Sequence, residues 1–312
     1  METKNKITLP ELATYFHNED AAREFLEKLR WPDGVVCPHC GSINEHYRIV
    51  PKEGSKTRKG LWKCKDCRKQ FSVTVGTVFE GSHIPIHIWL YAIHEMSSAK
   101  KGVSAHQLHR KLGITYKSAW FMAHRIRFIM EGDTPLAEKM KGIVECDETY
   151  VGGKGKGLGK KFCGRGTLKT PVFALVERDG RVKSQVVERV TGKNLKGIIK
   201  KNVETASTIM TDDFKSYKGL NKIFYAHKVV EHGKKIYSKP GGIHTNTIEG
   251  YFSILKRGIV GVYQHVGKQH LDRYLAEFDF RYNARKVTDG ERAVLALKGI
   301  EGKRLMYRDS SL

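Results

Sequence analysis

The stretch KGIVECDETYVGG, residues 141–153, alternates apolar with polar side chains and predicts a half-buried β-strand. Successive side chains of a strand point to opposite faces of its sheet. Asp147 therefore shares one face with Glu145 and Thr149, whereas Glu148 points to the other face. Asp147 and Glu148 cannot belong to a single site.

The residues that follow predict a mixed α/β domain over residues 141–290. A hairpin is expected in PVFALVERDG (171–180) and RVKSQVVERV (181–190), and a helix in LKGIIKKNV (195–203). An apolar strand that ends on two acids is expected in STIMTDD (207–213). Asp212 and Asp213 thus lie at the carboxyl end of a strand, where ligands commonly bind in α/β sheets.

A helix is predicted in HTNTIEGYFSILKRGI, residues 244–259, because its apolar residues recur at helical spacing. Glu249 and Lys256 lie two turns apart beside the apolar stripe. One acid on each of two strands and a third on this helix could together hold divalent cations through oxygen ligands. Two such ions can promote in-line displacement at a phosphodiester. The ordinary interpretation also remains open, since acids at these positions often form turns or stay solvated.

The charge balance points to a polyanionic partner. The 312 residues include 56 Lys and Arg against 33 Asp and Glu, a net charge of +23. Such an excess is most simply tolerated beside nucleic acid, with an anionic membrane surface or a merely solvated basic surface as alternatives. With 40% hydrophobic and 29% charged residues the composition is that of a soluble globular protein. Neither a secretion signal nor an apolar run of ~18 residues is present, so we expect a cytoplasmic protein.

Four cysteines predict a structural zinc site. Cys37 and Cys40 lie in CPHC, and Cys64 and Cys67 lie in CKDC after an intervening 23 residues. Two C-x-x-C turns can place four thiolates tetrahedrally around one Zn²⁺, and the β-prone residues between them suit a zinc-ribbon hairpin. A disulfide interpretation is weakened by the lack of a secretion signal, and a redox motif would not require two copies.

A helix-turn-helix-like region is predicted within residues 81–140. Two short helices meet at Gly113, and Thr115 can cap the second of them. The second helix carries four basic residues that could contact DNA, namely Lys117, His124, Arg125 and Arg127. A plain helical hairpin with a solvated basic face is the alternative.

The remaining segments complete the expected organisation. Residues 1–80 comprise an N-terminal helix and the zinc ribbon, and residues 291–312 form a C-terminal tail. The glycine-rich stretch after residue 152 lacks the G-x4-G-K-[ST] pattern of a phosphate-binding loop. We interpret it as a DNA-contacting loop with basic residues that include Lys154, Lys156, Lys160 and Lys161.

Several long motifs resemble the ISXO2-like insertion-sequence transposases of the IS1595 family in bacteria. They are RWPDGVVCPHCGS, GIVECDETYVGGK, TDDFKSY, HTNTIEGYFSILKRGIVGVY and HLDRYLAEFDFRYNAR, in that order, and the match spans roughly residues 20–287. The resemblance implies an RNase H-like catalytic domain preceded by a zinc ribbon and a helical DNA-binding region.

The resemblance also implies site residues and chemistry. The family's DDE triad falls on Asp147, Asp212 and Glu249, which would bind two Mg²⁺ or Mn²⁺ ions, and its lysine falls on Lys256. Many members have glycine where this chain has Asp213, so a second carboxylate lies beside the expected one. DNA cleavage at the element ends is expected, followed by strand transfer to target DNA.

Lys256 and its neighbour Arg257 are expected to contact the DNA backbone, or else to lie on a solvated helix face. A homodimer on DNA, associated with the nucleoid when bound, follows from the need to join two ends. Two other functions stay open: a DNA-binding regulator that has lost catalysis, and an RNase H-like nuclease that acts on hybrids or junctions.

Overall fold

The computed structural model describes residues 9–131, 138–152, 169–230 and 238–306. Contacts within the chain divide it into two compact units. The N-terminal unit comprises Met1–Gly132 with Val287–Leu312, and the α/β unit comprises Asp133–Lys286. None of the helices in the described ranges could span a lipid bilayer, because none combines sufficient length with an apolar sequence.

The N-terminal unit begins with two helices and an antiparallel sheet of three strands. These elements are α1 (Leu9–Tyr15), α2 (Glu19–Arg30), β1 (His46–Ile49), β2 (Leu61–Cys64) and β3 (Gln70–Phe71). Strand β2 is central and pairs with both neighbours, which confirms the predicted hairpin. Arg30 donates hydrogen bonds to the carbonyl oxygens of Val73 and Val75, each at 2.7 Å, and thereby ties α2 to the chain that leaves the sheet.

Three helices follow in the same unit: α3 (Ile86–Ser98), α4 (Ala105–Leu112) and α5 (Tyr116–Met130). The hydroxyl of Ser104 caps α4, and Gly113 ends it in the left-handed region with φ of +65°. Glycine suits this position because it has no Cβ to clash. Thr115 then caps α5 by accepting a hydrogen bond from the Ser118 N–H at 3.2 Å. The predicted pair of helices joined at a glycine is confirmed.

A five-stranded sheet forms the centre of the α/β unit. Its strands are β4 (Ile143–Val151), β5 (Thr170–Glu177), β6 (Val182–Val186), β7 (Thr208–Asp212) and β8 (Ala226–Val230), and α6 (Gly192–Asn202) connects β6 to β7. The spatial order is β6-β5-β4-β7-β8. Strands β4, β5 and β6 are antiparallel neighbours, whereas β4, β7 and β8 run parallel. This order and these directions are those of an RNase H-like sheet, as predicted.

Helices cover both faces of the sheet. The remaining elements of the unit are β9 (Ser238–Lys239), β10 (Ile243–His244), α7 (Asn246–Gly258) and α8 (Leu271–Asn283). One core joins residues of β5 and α8 to the predicted apolar stripe, which comprises Ile248, Phe252 and Leu255 of α7 and Ile259 directly after it. A second core on the opposite face joins Val144 and Cys146 of β4 to Leu195 and Ile199 of α6. The strand alternation predicted for residues 141–153 therefore places Cys146 in the core.

Polar side chains of α8 satisfy the outer edge of β6. The backbone N–H groups of Val182, Ser184 and Val186 all point to this edge. They donate to Asn283, Asp279 and Asp272 at 2.7, 2.7 and 2.9 Å, respectively. An edge strand with unpaired N–H groups invites pairing with other chains, and these side chains remove that hazard.

We expect Asp279→Asn to change how stability depends on pH. Burial raises the pKa of Asp279 to about 6 from its ordinary 3.8. Between about pH 4 and pH 6 the folded state thus binds more protons than the unfolded state, so the free energy of unfolding falls as the pH rises. A shift of this size corresponds to at most about 3 kcal/mol. Urea unfolding at pH 4 and pH 7 should show most of this loss in the unchanged protein, and a smaller loss in the variant. Equal losses in both would contradict the assignment.

The last described helix, α9 (Asp289–Lys298), belongs to the N-terminal unit and packs on α3 and α5. Residues 291–298 thus differ from the predicted tail. A capping box starts the helix, since Thr288 and Glu291 bond reciprocally to each other's backbone. Three of its apolar residues, Ala293, Ala296 and Leu297, are buried, and this burial explains why the segment folds.

Candidate active site and zinc site

Two predicted acids lie side by side on the central strands. Strands β4 and β7 are parallel, and their register pairs Glu145 with Met210. Asp147 and Asp212 lie two residues further along each strand, so both side chains occupy the same face at the same level of the sheet. The Oδ1 atom of Asp212 accepts a hydrogen bond from the Phe214 N–H at 3.1 Å, which orients that carboxylate where the strand ends.

Glu249 lies in the first turn of α7. That turn is fixed to β4, because the Ile248 N–H and the Thr247 hydroxyl donate to the Glu145 carboxylate at 3.0 and 2.9 Å. The hydroxyl of Thr245 lies 3.5 Å from the Glu249 carboxylate. The third predicted acid is thus carried to the face of the sheet on which the other two lie.

Asp147 interacts electrostatically with both of the other acids. The pKa of Asp147 is raised to about 8, first by burial and then by the negative charge of Glu148, with further contributions from Asp212 and Glu249. Mutual repulsion of close carboxylates favours protonation or a bound cation. Three carboxylates are the hard oxygen donors that Mg²⁺ and Mn²⁺ prefer, so the residues present fit such an ion. Among the described residues, only the four ribbon cysteines bring three or more potential ligand atoms of His, Cys, Asp or Glu within 4.8 Å of one another, so the oxygens of the three acids do not all lie this close together.

The neighbouring acids have different environments. Asp213 is exposed, whereas Asp212 is half-buried beside Asp147. This difference supports the choice of Asp212. Glu148 points to the opposite face, as the alternation predicts, and accepts a hydrogen bond from the Tyr217 hydroxyl at 2.7 Å.

Basic residues predicted to contact DNA fall into three groups. Lys256 and Arg257 are exposed on α7, in the same helix as Glu249. Four lysines of the predicted basic loop lie outside the described residues, namely Lys154, Lys156, Lys160 and Lys161. The third group lies on α5, where the structure differs from the prediction.

Arg125 and Arg127 are buried, which corrects their assignment as DNA-binding residues. The guanidinium of Arg125 donates hydrogen bonds to the carbonyl oxygens of Val78, Glu80 and Leu305 at 2.5, 3.1 and 3.1 Å. His124 of the same helix is buried as well. Only the first turn of α5, with Tyr116 and Lys117, is exposed. The middle of this helix faces the core of the N-terminal unit rather than a DNA groove.

We therefore expect Arg125→Met to destabilise the N-terminal unit, on the order of 3 kcal/mol, because it leaves two buried carbonyl oxygens and one half-buried carbonyl oxygen without this donor. DNA affinity should stay unchanged at temperatures where the variant remains folded. Lys117→Ala is the matched control, and it should weaken DNA binding with little change in melting temperature. Thermal unfolding and DNA titration of both variants would check this, and a stable Arg125 variant with weakened DNA binding would restore the original assignment.

One charged pair beside the acids is not apparent from the sequence. The fully buried carboxylate of Glu145 forms a salt bridge with the Nε of Arg178 at 2.7 Å. An acid on the inward face of an apolar strand was the available signal. Its partner could not be inferred, because Arg178 lies 33 positions further along the chain.

The four predicted cysteines form one cluster in the N-terminal unit. The Sγ atoms of Cys37 and Cys67 are 3.7 Å apart, and those of Cys40 and Cys64 are 3.8 Å apart. Four sulfurs at ~2.3 Å from a central Zn²⁺ would be separated by about 3.8 Å, so the cluster fits tetrahedral zinc. Both turns place their fifth residue in the left-handed region, Gly41 with φ of +71° and Arg68 with φ of +61°.

Comparison with known proteins bears on both units. Residues 17–70 match the transposase zinc-ribbon domain, and residues 139–283 match the ISXO2-like transposase domain. An uncharacterized protein in transposable element ISH50 of Halobacterium salinarum is 29% identical over 281 residues, which cover 85% of this chain and 91% of that protein. A crystal structure of a pre-cleavage Mos1 transpososome aligns over 92% of this chain and 91% of that chain, with 11% identity. Its TM-score of 0.26 is too low to support an inference.

The ribbon and the α/β domain thus correspond to the two domains that these transposase models describe. Both matches are to domains of ISXO2-like transposases, which this chain resembles over residues 17–70 and 139–283. The predicted family and the predicted fold class are thereby confirmed.

Proposed function

We propose that this chain is a DNA transposase that binds the ends of its insertion sequence and catalyses strand cleavage and strand transfer. One observation carries the proposal: Asp147 and Asp212 lie at the same level of adjacent strands, and α7 brings Glu249 to the same face. The family supports the same chemistry.

The three acids would hold divalent cations, Mg²⁺ or Mn²⁺, which would supply activation of an attacking oxygen and charge neutralisation of a leaving oxygen at a phosphodiester. Hydrolysis and strand transfer differ only in the attacking group, a water in one and a DNA 3′ hydroxyl in the other. One site can therefore serve both steps. The hydrogen bonds that fix the end of β7 and the start of α7 would keep the acids in place for each step.

DNA is the proposed partner, both as element ends and as target. The net charge of +23 attracts the phosphate backbone. Lys256 and Arg257 project from the helix that carries Glu249, so they would contact backbone close to the scissile phosphate. Joining two ends calls for at least two catalytic subunits, and we propose a homodimer on DNA. The ribbon would bind one structural Zn²⁺ through Cys37, Cys40, Cys64 and Cys67.

Incubation of the purified protein with Mg²⁺, labelled DNA from the boundaries of its own gene and a target plasmid tests this function. Cleavage at the boundaries with joining to the plasmid is the expected result. Binding without cleavage would favour a regulator that has lost catalysis, and cutting of RNA–DNA hybrids alone would favour another nuclease.

A further inference from the structure

We infer that Glu145 and Arg178 are positioning residues that set the geometry of the three acids. The inference rests on the proposed function, since it concerns the same site. Neither residue belongs to the triad. Both belong to a group of contacting residues in the α/β unit that we call the polar layer. This layer lies two residues before the acids along β4 and β7.

The layer touches each element that carries an acid. Glu145 lies two residues before Asp147 on β4. On α7 its carboxylate accepts hydrogen bonds from Thr247 and Ile248, the two residues that precede Glu249. The Nη2 atom of Arg178 lies 3.1 Å from the Sδ of Met210, two residues before Asp212 on β7.

Arg178 also fixes the segment that leads into α7. Its guanidinium donates to the carbonyl oxygens of Gly242 and His244, each at 2.7 Å. With the bond to Glu145, this cation joins β4 to the backbone just before the helix. A planar guanidinium can make these bonds in several directions at once, which an ammonium group cannot do.

Glu145 takes the place of a local helix cap. The N-cap residue of α7, Thr245, makes no side-chain capping bond to the helix. The first N–H groups of a helix need acceptors, and a negative charge there also interacts favourably with the helix dipole. A carboxylate from β4 meets this need, so the start of α7 is held by the strand that carries Asp147. The position of Glu249 relative to Asp147 then depends on Glu145.

Burial makes the arrangement stiff. Glu145 is completely inaccessible to solvent, and the side chain of Arg178 is only 17% exposed. Removal of either partner leaves the other charge without its main compensation inside the protein. Replacement of residues that orient metal ligands typically lowers metal affinity or activity by about 10- to 100-fold.

The test measures Mn²⁺ binding to the full chain by electron paramagnetic resonance, together with the kinetics of cleavage. Glu145→Gln and Arg178→Lys should each weaken Mn²⁺ binding at the triad by about tenfold or more. Cleavage should slow in kcat, with the KM for DNA nearly unchanged. Asp279→Asn is the matched control, because it replaces another buried, hydrogen-bonded acid of the same unit. It should leave Mn²⁺ affinity unchanged even if it lowers the melting temperature.

Folded Glu145 and Arg178 variants that bind Mn²⁺ within about twofold of the unchanged protein would overturn the inference. So would weakened binding of equal size in Asp279→Asn, since that would indicate a general loss of stability. Failure of the proposed function is a separate outcome: the unchanged protein would bind Mn²⁺ but cut no DNA, and the Mn²⁺ titrations would still test the positioning role. If even the unchanged protein bound no Mn²⁺ through Asp147, the positioning role would be wrong.

Discussion

Asp147→Asn, Asp212→Asn and Glu249→Gln should each reduce Mg²⁺-dependent cleavage by roughly 10³-fold or more, while DNA binding persists. Each change removes a negative charge and an anionic oxygen ligand at the position where the attacking and leaving oxygens must be stabilised. Cleavage of labelled element ends under single-turnover conditions measures the effect. DNA affinity measured without metal serves as the binding control.

Asp213→Asn is the matched control for Asp212, because the two carboxylates are adjacent in sequence but differ in exposure. We expect this variant to cleave DNA at a rate within about tenfold of that of the unchanged protein, since the Asp213 side chain is not held beside Asp147. The reverse ranking would move the second ligand to Asp213. Full activity in any one of the three triad variants would remove that residue from the site.

The second large effect concerns the ribbon. Cys64→Ser should lower the zinc content from one ion per chain to nearly none and unfold the ribbon. The free energy of binding a structural zinc, about 10–16 kcal/mol in zinc-finger peptides, is largely folding free energy. Atomic absorption measures the metal, and limited proteolysis of residues 17–70 measures the loss of structure. A native, zinc-loaded variant, or a freshly purified wild type without zinc, would contradict the assignment.

Cys146→Ser provides the matched control for this experiment. Cys146 is a buried thiol on β4 that packs in the core of the α/β unit, apart from the zinc ligands. Its replacement should leave one zinc per chain and an intact ribbon. A loss of zinc in both variants would indicate that the metal loss reflects general unfolding.

Local patterns predicted much of this molecule. The alternation of residues 141–153 predicts that Asp147 and Glu148 point to opposite faces of the sheet, and the structure confirms it. Cysteine spacing found the ribbon cluster, and a glycine with a capping threonine marked the two-helix region. These features depend on neighbours within a few residues, so a single sequence contains them.

Features that depend on distant segments could not be predicted in this way. Arg125 was expected to face DNA because it is a cation on a helix. It is buried instead, and one of its hydrogen-bond acceptors is Leu305. Because Leu305 lies 180 positions away in sequence, local patterns could not reveal this burial. The pairing of Glu145 with Arg178 is similarly non-local. Residues 291–298 are a different case, since the T-x-x-E spacing of Thr288 and Glu291 signals a helix start in sequence.

The most direct test of the central claim is anomalous diffraction from crystals of the chain soaked in Mn²⁺. We expect a manganese peak with carboxylate oxygens of Asp147, Asp212 and Glu249 at roughly 2.0–2.3 Å, close to the distances of magnesium–oxygen ligation. The contradicting result is a fully soaked crystal in which manganese lies elsewhere, or not at all, and the three carboxylates remain apart.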